Sequence, residues 1–378
     1  GKLESRPLSE AINIASKKLA ELKARYGNNS IAGIASSQAS NESLKAFKEF
    51  ITVTIGSKLI DTLDGDIYRT IIQGINAYQG KAGLDTEASL EEILKADCIL
   101  LAGANPLESH PVAGSYIVRA ARQNKAKLIV IDPTQNSFAY HTTLWLKPKE
   151  GKEALALSVL TKAIINKGAK KDSAKAKKIS ASLKNINVKQ SCGEVGIGTD
   201  DFLEAAEILG KAQHNVIVYG EGILQHKNPS LITSLLNLAT IAGSSKVGKP
   251  RIISLKPKGN SRGAWDMGVA NPSQSIMKNL ARNRVKALYI LLADDYADTS
   301  ELPNLRKGME FVVVQSSYLS SATSKATIVL PSPIWAEAGG KYGTLDGVVK
   351  STSRLIKPPD GIKTDSEILR EISKHMKK

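Results

Sequence analysis

The residues best placed to do chemistry sit in short polar loops that directly follow apolar runs. Gly103-Ala104-Asn105-Pro106 comes after Cys98–Ala102. A glycine there lets backbone approach a ligand closely, and the free amides of a following helix can receive a phosphate. The same glycine can serve only a tight turn. Asp132 closes the run Leu128–Ile131, a position where an acid can hold a ribose hydroxyl pair and where Asp-Pro also starts a turn. Gly220-Glu221-Gly222 follows Asn215–Tyr219 in the same way. Asp294-Asp295 ends another apolar run. Adjacent carboxylates of this kind share a proton when buried, or sit ionised in a solvated loop.

The five histidines, His110, His141, His214, His226 and His375, contain no i,i+4 pair and no His-Glu-x-x-His. A zinc-type site built from them is not expected. His110 and His226 lie beside the glycine loops and remain candidates. Arg119, Arg122, Arg251, Arg262 and Arg354 are the available phosphate clamps, although surface arginines are common. The chain has no Gly-x-Gly-x-x-Gly and no Gly-x-x-x-x-Gly-Lys-Ser/Thr, so the standard dinucleotide fingerprint and the ATPase-type phosphate loop are both missing. No paired nucleophile and base is evident, and no transition-state role follows from the sequence.

These loops need a scaffold. Apolar residues at helical spacing predict a helix from Ser9 to Tyr26, started by Ser9-Glu10 and stopped by Gly27. Ser30–Ala35 reads as a buried strand, followed by a polar turn at 36–40 and a helix from Asn41 to about Ile51. Further helices are expected over Asp66–Ala77, His110–Gln123, Glu153–Asn166, Asp200–Leu209, Pro229–Ala242 and Ser366–His375. Strands are expected at Asp97–Ala102, Leu128–Ile131, Asn215–Tyr219, Ala287–Leu292, Phe311–Gln315 and Ala326–Leu330. Trp335–Gly347 is glycine-rich and reads as an ordered surface loop. Continuous apolar strands alternating with helices indicate parallel sheets covered on both faces, a doubly wound α/β architecture. Ligands of such sheets bind outside the carboxyl ends of the strands, where the strand order reverses.

A chain of 378 residues, 42% apolar, suits two lobes. It has no run of about 18 uncharged apolar residues to span a membrane. The Gly1 start without Met, and without an apolar leader core, reads as a piece of a longer chain. Two cysteines, Cys98 and Cys192, exclude a disulfide framework or a four-cysteine cluster. Cys98 reads as a buried small residue, Cys192 as an exposed turn residue. The net charge is +16, and Lys167, Lys170, Lys171, Lys175, Lys177 and Lys178 crowd into the segment 162–189 around one acid, Asp172. With no aromatic interleaved, base stacking is not expected. The segment is either a solvated face or a docking patch for a partner subunit.

At these loops the sequence resembles the molybdopterin oxidoreductase superfamily, which includes bis-pyranopterin formate dehydrogenases, nitrate reductases and the large iron–sulfur subunit of NADH–quinone oxidoreductase. The matching stretches are Ala96–Pro111, Lys127–Pro133, Val218–His226, Ala264–Gly268, Phe311–Tyr318 and Ala326–Gly347, in family order along nearly the whole chain. The resemblance implies two Rossmann-like lobes of the formate dehydrogenase type, with mostly parallel sheets: residues 1–60 with 243–378, and 61–242. It implies nucleotide-facing positions at Gly103, Asn105, Asp132, Gly220, Gly222 and His226.

The departures from the family pattern weigh as much. The stretch that supplies the family's metal ligand is Leu59–Asp66 here, with no Cys, His or Arg. Asp64 is the one weak candidate ligand, while Asp61, Asp64 and Asp66 serve equally as turn carboxylates. Thr134-Gln135-Asn136 replaces the basic residues expected after Asp-Pro. The resemblance therefore points to the cofactor-free domain of the large subunit of NADH–quinone oxidoreductase. Such a domain is inactive alone and scaffolds electron transfer by iron–sulfur clusters outside this chain. Its expected partners are the other subunits of a membrane-associated redox complex, on the cytoplasmic face. The alternative is a fragment of a molybdenum or tungsten bis-pyranopterin guanine dinucleotide enzyme such as formate dehydrogenase. An unrelated nucleotide- or nucleic-acid-binding module is the third reading.

Overall fold

The computed structural model describes residues 3–79, 88–168, 173–243, 245–246, 249–271, 276, 280, 284–296 and 308–377. In chain order it begins with α1 (Leu8–Tyr26), β1 (Ile31–Ala35), α2 (Asn41–Glu49), a π-helical segment (Phe50–Ile55) and β2 (Ile60–Thr62). Helix α3 (Gly65–Gln79) leads to α4 (Leu90–Lys95), β3 (Cys98–Ala102), α5 (Pro106–Ser109), α6 (Pro111–Arg122), β4 (Lys127–Ile131) and β5 (Leu144–Leu146). Then come α7 (Glu153–Asn166), α8 (Ala174–Ser182), α9 (Val188–Val195), α10 (Thr199–Lys211), β6 (Asn215–Tyr219), α11 (Glu221–Leu224) and α12 (Pro229–Ile241). The small pair β7 (Ser245–Lys246) and β8 (Lys249–Pro250) precedes β9 (Ile252–Ser254) and α13 (Ser261–Asp266). The last part carries β10 (Ala287–Ala293), β11 (Phe311–Ser316), β12 (Ile328–Pro331), the hairpin β13 (Gly340–Gly343) and β14 (Val349–Thr352), and a final helix Asp365–Met376.

Two compact units result, residues 1–69 with 257–378, and 70–256. The first holds a five-stranded sheet in the order β12-β11-β10-β1-β2, the second one in the order β5-β4-β3-β6-β9. All pairings within both sheets are parallel. The unit boundaries differ from the expected 60/61 and 242/243 because of two short strands. β2 pairs with β1, so 61–69 stay with the first unit, and β9 pairs with β6, so 243–256 stay with the second.

The central strands are continuous apolar runs because both of their faces are covered. Every residue of β1, β3, β6, β10 and β11 is buried. In the first unit Ile34, Leu288, Ile290, Leu292, Val312 and Val314 form one core cluster. In the second, α7 buries Ala156, Leu157, Leu160 and Ile164, and α12 buries Leu235, Leu236 and Ala239.

Several local expectations are corrected. Helix α1 has Pro7 at its N-cap with no side-chain cap, because Ser9 already lies inside the helix. Cys192 is not exposed: it sits within α9, 2% accessible, where helix formation turns it inward. The glycine-rich stretch after Trp335 is a four-residue helix followed by an antiparallel hairpin rather than a loop. Lys170, Lys171 and Asp172 of the basic segment fall outside the described residues.

Candidate functional site

In each sheet the strand order reverses once, and the polar loops gather there. In the second unit the reversal lies between β3 and β6, whose last residues Ala102 and Tyr219 are register partners. Gly103 has a φ of 52°, a left-handed conformation that suits glycine. Its amide donates to Ile131 O (2.9 Å) and its carbonyl accepts from Gly222 N (2.8 Å). A Cβ added to Gly222 would lie 2.9 Å from Gly103 Cα, and one added to Gly220 would lie 2.8 Å from Ala104 Cβ. The three glycines are thus required by the loop-to-loop contact itself.

Asn105 stands beside them. Among the described residues its Oδ1 is buried with no hydrogen-bond partner, and its Nδ2 is 3.5 Å from Ser137 Oγ. Asn136 Nδ2 donates to Ala104 O (3.3 Å) and Ser137 Oγ to Glu108 Oε1 (3.0 Å). These bonds tie the loop after β3 to the loop after β4, which carries Asp132. Burial pushes the Asp132 carboxyl above its ordinary range; the Thr134 amide on Oδ1 (2.8 Å) opposes this in part, and nearby Glu153 adds to it. Trp145 Nε1 donates to the Asp132 carbonyl at 2.9 Å. His226 connects to Asp132 through the same acid: its Nε2 is 3.9 Å from Glu153 Oε2, a buried carboxylate that also accepts from the Gly151 amide. His110 is used structurally, with Nε2 2.9 Å from Lys256 O and Nδ1 2.9 Å from Ser109 Oγ. Burial pushes its pKa down.

In the first unit the reversal lies between β1 and β10. There Ser36 Oγ donates to Asp295 Oδ2 (2.6 Å), and Lys258 Nζ lies 2.9 Å from the same oxygen. Asp295 is therefore an ion-paired acid. Burial raises the carboxyl of Asp294, against the opposing bond from the Trp335 amide. Asp64 is 6% exposed, and both its oxygens are engaged. Ser37 Oγ (2.5 Å) and Thr62 Oγ1 (2.7 Å) donate to Oδ1, and Ser261 Oγ (2.5 Å) donates to Oδ2. Asp61 is paired with Arg69 at 2.9 Å; burial raises its pKa and the guanidinium opposes the rise. The cation absent from 59–66 thus arrives one helical turn later.

The fit to a metal is poor at Asp64. Three hydroxyls donate to its two oxygens, so about three of its four lone-pair sites are taken, and bidentate ligation of a cation would require hydroxyl bonds to be given up. Among the described residues no three His, Cys, Asp or Glu side chains are arranged to hold a metal. The second unit keeps one feature that suits a bound group, the buried unpartnered acceptor of Asn105. The arginine clamps are mostly committed away from these loops. Arg251 is buried against Glu92 (3.3 Å), Arg262 holds Asp266 (2.9 Å) and Arg122 Nε donates to His141 Nδ1 (3.1 Å). Ser36 and Ser37 lie in the polar turn 36–40 that follows the first strand, whereas Lys258 and Ser261 carry no local signal in sequence.

The family model for molybdopterin oxidoreductase matches residues 9–375. The chain is 25% identical to the NADPH-Fe(3+) oxidoreductase subunit alpha of Geobacter sulfurreducens, over 96% of this chain and 47% of that protein. It is 24% identical to formate dehydrogenase H of Escherichia coli, over 100% of this chain and 58% of that protein. It thus spans about half the length of these relatives, the first of which is named as a subunit alpha. Among solved structures, acetylene hydratase from Pelobacter acetylenicus superposes with a TM-score of 0.76 at 16% identity, covering 99% of this chain and 59% of that one. A chain of the formyltransferase/hydrolase complex from Methylorubrum extorquens gives 0.70 at 17% identity, covering 99% and 97%. No helix among the described residues is long and apolar enough to cross a membrane. With two doubly wound units, loops gathered at both strand-order reversals and a family match running from α1 into the last helix, the chain belongs to the molybdopterin oxidoreductase family.

Proposed function

We propose that this chain is a non-catalytic, cofactor-free scaffold domain of a large redox subunit of the NADH–quinone oxidoreductase type. In this reading electrons pass through iron–sulfur clusters outside the chain, and its partners are neighbouring subunits of a membrane-associated complex on the cytoplasmic face. The observation that supports it is the state of Asp64. The candidate ligand in the stretch that resembles the family's metal position is held by the hydroxyls of Ser37, Thr62 and Ser261. The glycines that resemble a nucleotide cradle, Gly103, Gly220 and Gly222, are accounted for by contacts with one another and with Ala104.

The second reading is a fragment of a molybdenum or tungsten bis-pyranopterin enzyme such as a formate dehydrogenase. It is favoured by the orphan acceptor of Asn105 and by the formate dehydrogenases among the relatives. In that case Gly103, Asn105, Asp132, Gly220, Gly222 and His226 would face the nucleotide. Molybdenum, tungsten and extractable pterin, measured on the protein isolated within its native assembly, decide between the two. Stoichiometric pterin and metal that track this chain overturn the scaffold reading; their lack in an assembly that still oxidises its electron donor supports it.

A further inference from the structure

The lysine-rich segment of the second unit is the feature neither reading absorbs. Helix α8 is fixed by one face. Ala176 and Ile179 are buried, and the Lys175 ammonium lies 3.3 Å from the centroid of the Tyr78 ring. That tyrosine is itself held by a 2.6 Å bond to Thr240 Oγ1. With that face down, Lys177 and Lys178 are exposed, as are Lys184 and Lys189 just beyond. Residues 173–195 contain five lysines and one acid, Glu194, and Glu194 is taken by Lys152 at 2.6 Å.

Some other lysines of the unit are neutralised. Lys167 and Lys211 share Glu207 at 2.9 and 2.6 Å, and Lys95 holds Glu92 at 3.3 Å. Among the described residues Lys177, Lys178, Lys184 and Lys189 make no ion pair. A helix carrying several exposed ammonium groups with no acid beside them favours an oppositely charged partner and fast, salt-sensitive association.

We propose that the exposed face of α8 and α9 docks an acidic surface of a neighbouring protein. This rests on the scaffold reading and names the contact through which the domain is held. A protein fits better than nucleic acid, because 173–195 contain no Phe, Tyr or Trp on which bases could stack. It fits better than a bilayer, because the apolar residues of α8 point into the unit and leave nothing to insert.

The test uses the native assembly, recovered from its own cells through a tag on this chain. Lysine acetylation rates in the assembly are compared with those of the chain purified alone, and a zero-length carbodiimide reagent then joins lysines to carboxylates in contact. Lys177, Lys178, Lys184 and Lys189 are expected to acetylate at least fivefold more slowly in the assembly, and to give cross-links to Asp or Glu of another polypeptide. The protection is expected to vanish in high salt. The charge-reversed variant Lys177→Glu, Lys178→Glu, Lys184→Glu, Lys189→Glu changes only exposed side chains. It should melt like the parent and recover at least tenfold less of the cross-linked partner. Equal acetylation rates in assembly and free chain overturn the proposal. So does protection that nuclease or detergent removes, which would assign the face to nucleic acid or lipid. Pterin and metal are measured on the same sample, so a failed docking face and a failed scaffold reading give different results.

Discussion

Replacing Asp64 separates a structural carboxylate from a metal ligand. In Asp64→Ala the hydroxyls of Ser37, Thr62 and Ser261, which are 0%, 5% and 1% exposed, lose their common acceptor. A hydrogen bond to a charged group contributes roughly 1.5–3 kcal/mol, so three would total about 5–9 kcal/mol. Water entering the vacated space satisfies part of this, which leaves an expected loss of about 3–5 kcal/mol. For a unit of this size each kcal/mol lowers Tm by about 2–4 °C, so the first unit should melt roughly 6–20 °C earlier. Asp64→Asn keeps one acceptor oxygen, and its amide can donate to a reoriented Ser261 hydroxyl. It should cost only about 1–2 kcal/mol. Urea unfolding followed by tryptophan fluorescence reads this directly, because Trp265 and Trp335 report on the first unit and Trp145 on the second. An Asp64→Ala protein within 1 kcal/mol of the parent would refute the argument. Loss of bound metal at unchanged stability would point instead to a ligand.

Asp365 gives a pH dependence of definite sign. It is buried, and burial raises its carboxyl above the ordinary range despite donors from Ser332, Gln315 and Ser43. A raised folded-state value means the native state binds the proton more tightly. The stability this adds is complete below the unfolded value near 3.9 and is lost as pH rises through the folded value. Asp365→Asn should therefore gain on the parent as pH rises above about 4, as read from urea midpoints, and a flat difference would contradict the assignment. Gly222→Ala would put a Cβ 2.9 Å from the Gly103 backbone. It should cost about 1–3 kcal/mol through overpacking, seen as an earlier melt of the second unit; a neutral result would mean the two loops can separate freely. Burial pushes the Cys98 thiol up to about 12 and raises that of Cys192. Neither should react with a thiol-specific disulfide reagent at pH 8 until urea unfolds the chain, and rapid native labelling of either would place it at the surface.

The strands Cys98–Ala102 and Asn215–Tyr219 and the helix Glu153–Asn166 were legible because uninterrupted apolar runs and helical periodicity are local signals. β2 was not. Ile60-Asp61-Thr62 carries two polar residues, which are tolerated only because Arg69 and neighbouring backbone amides meet Asp61 while Thr62 donates to Asp64. The π-helical segment Phe50–Ile55 carries no distinct mark in sequence, and the hairpin after Trp335 reads as loop until Gly340 finds Thr352. The glycine loops at the strand ends were foreseen, but their use for mutual packing was not, since that depends on Gly103 meeting Gly222. Asp64 was singled out by position. Its actual role needs partners 27 and 197 residues away, and no local pattern encodes those distances.

The order of the units along the chain sets a schedule for synthesis. Ile31 of β1 has its register partner at Ala287 of β10, with the whole second unit between them in sequence. At a ribosomal rate of about 5–20 residues per second, roughly 13–50 s separate the two strands. Throughout that interval the fully apolar Ile31–Ala35 segment has emerged with one of its two sheet neighbours still unmade, while Thr70–Lys256 can close its own sheet. The inserted unit therefore folds as a guest inside an unfinished host, and the host's first strand is the stretch of nascent chain most in need of protection from aggregation.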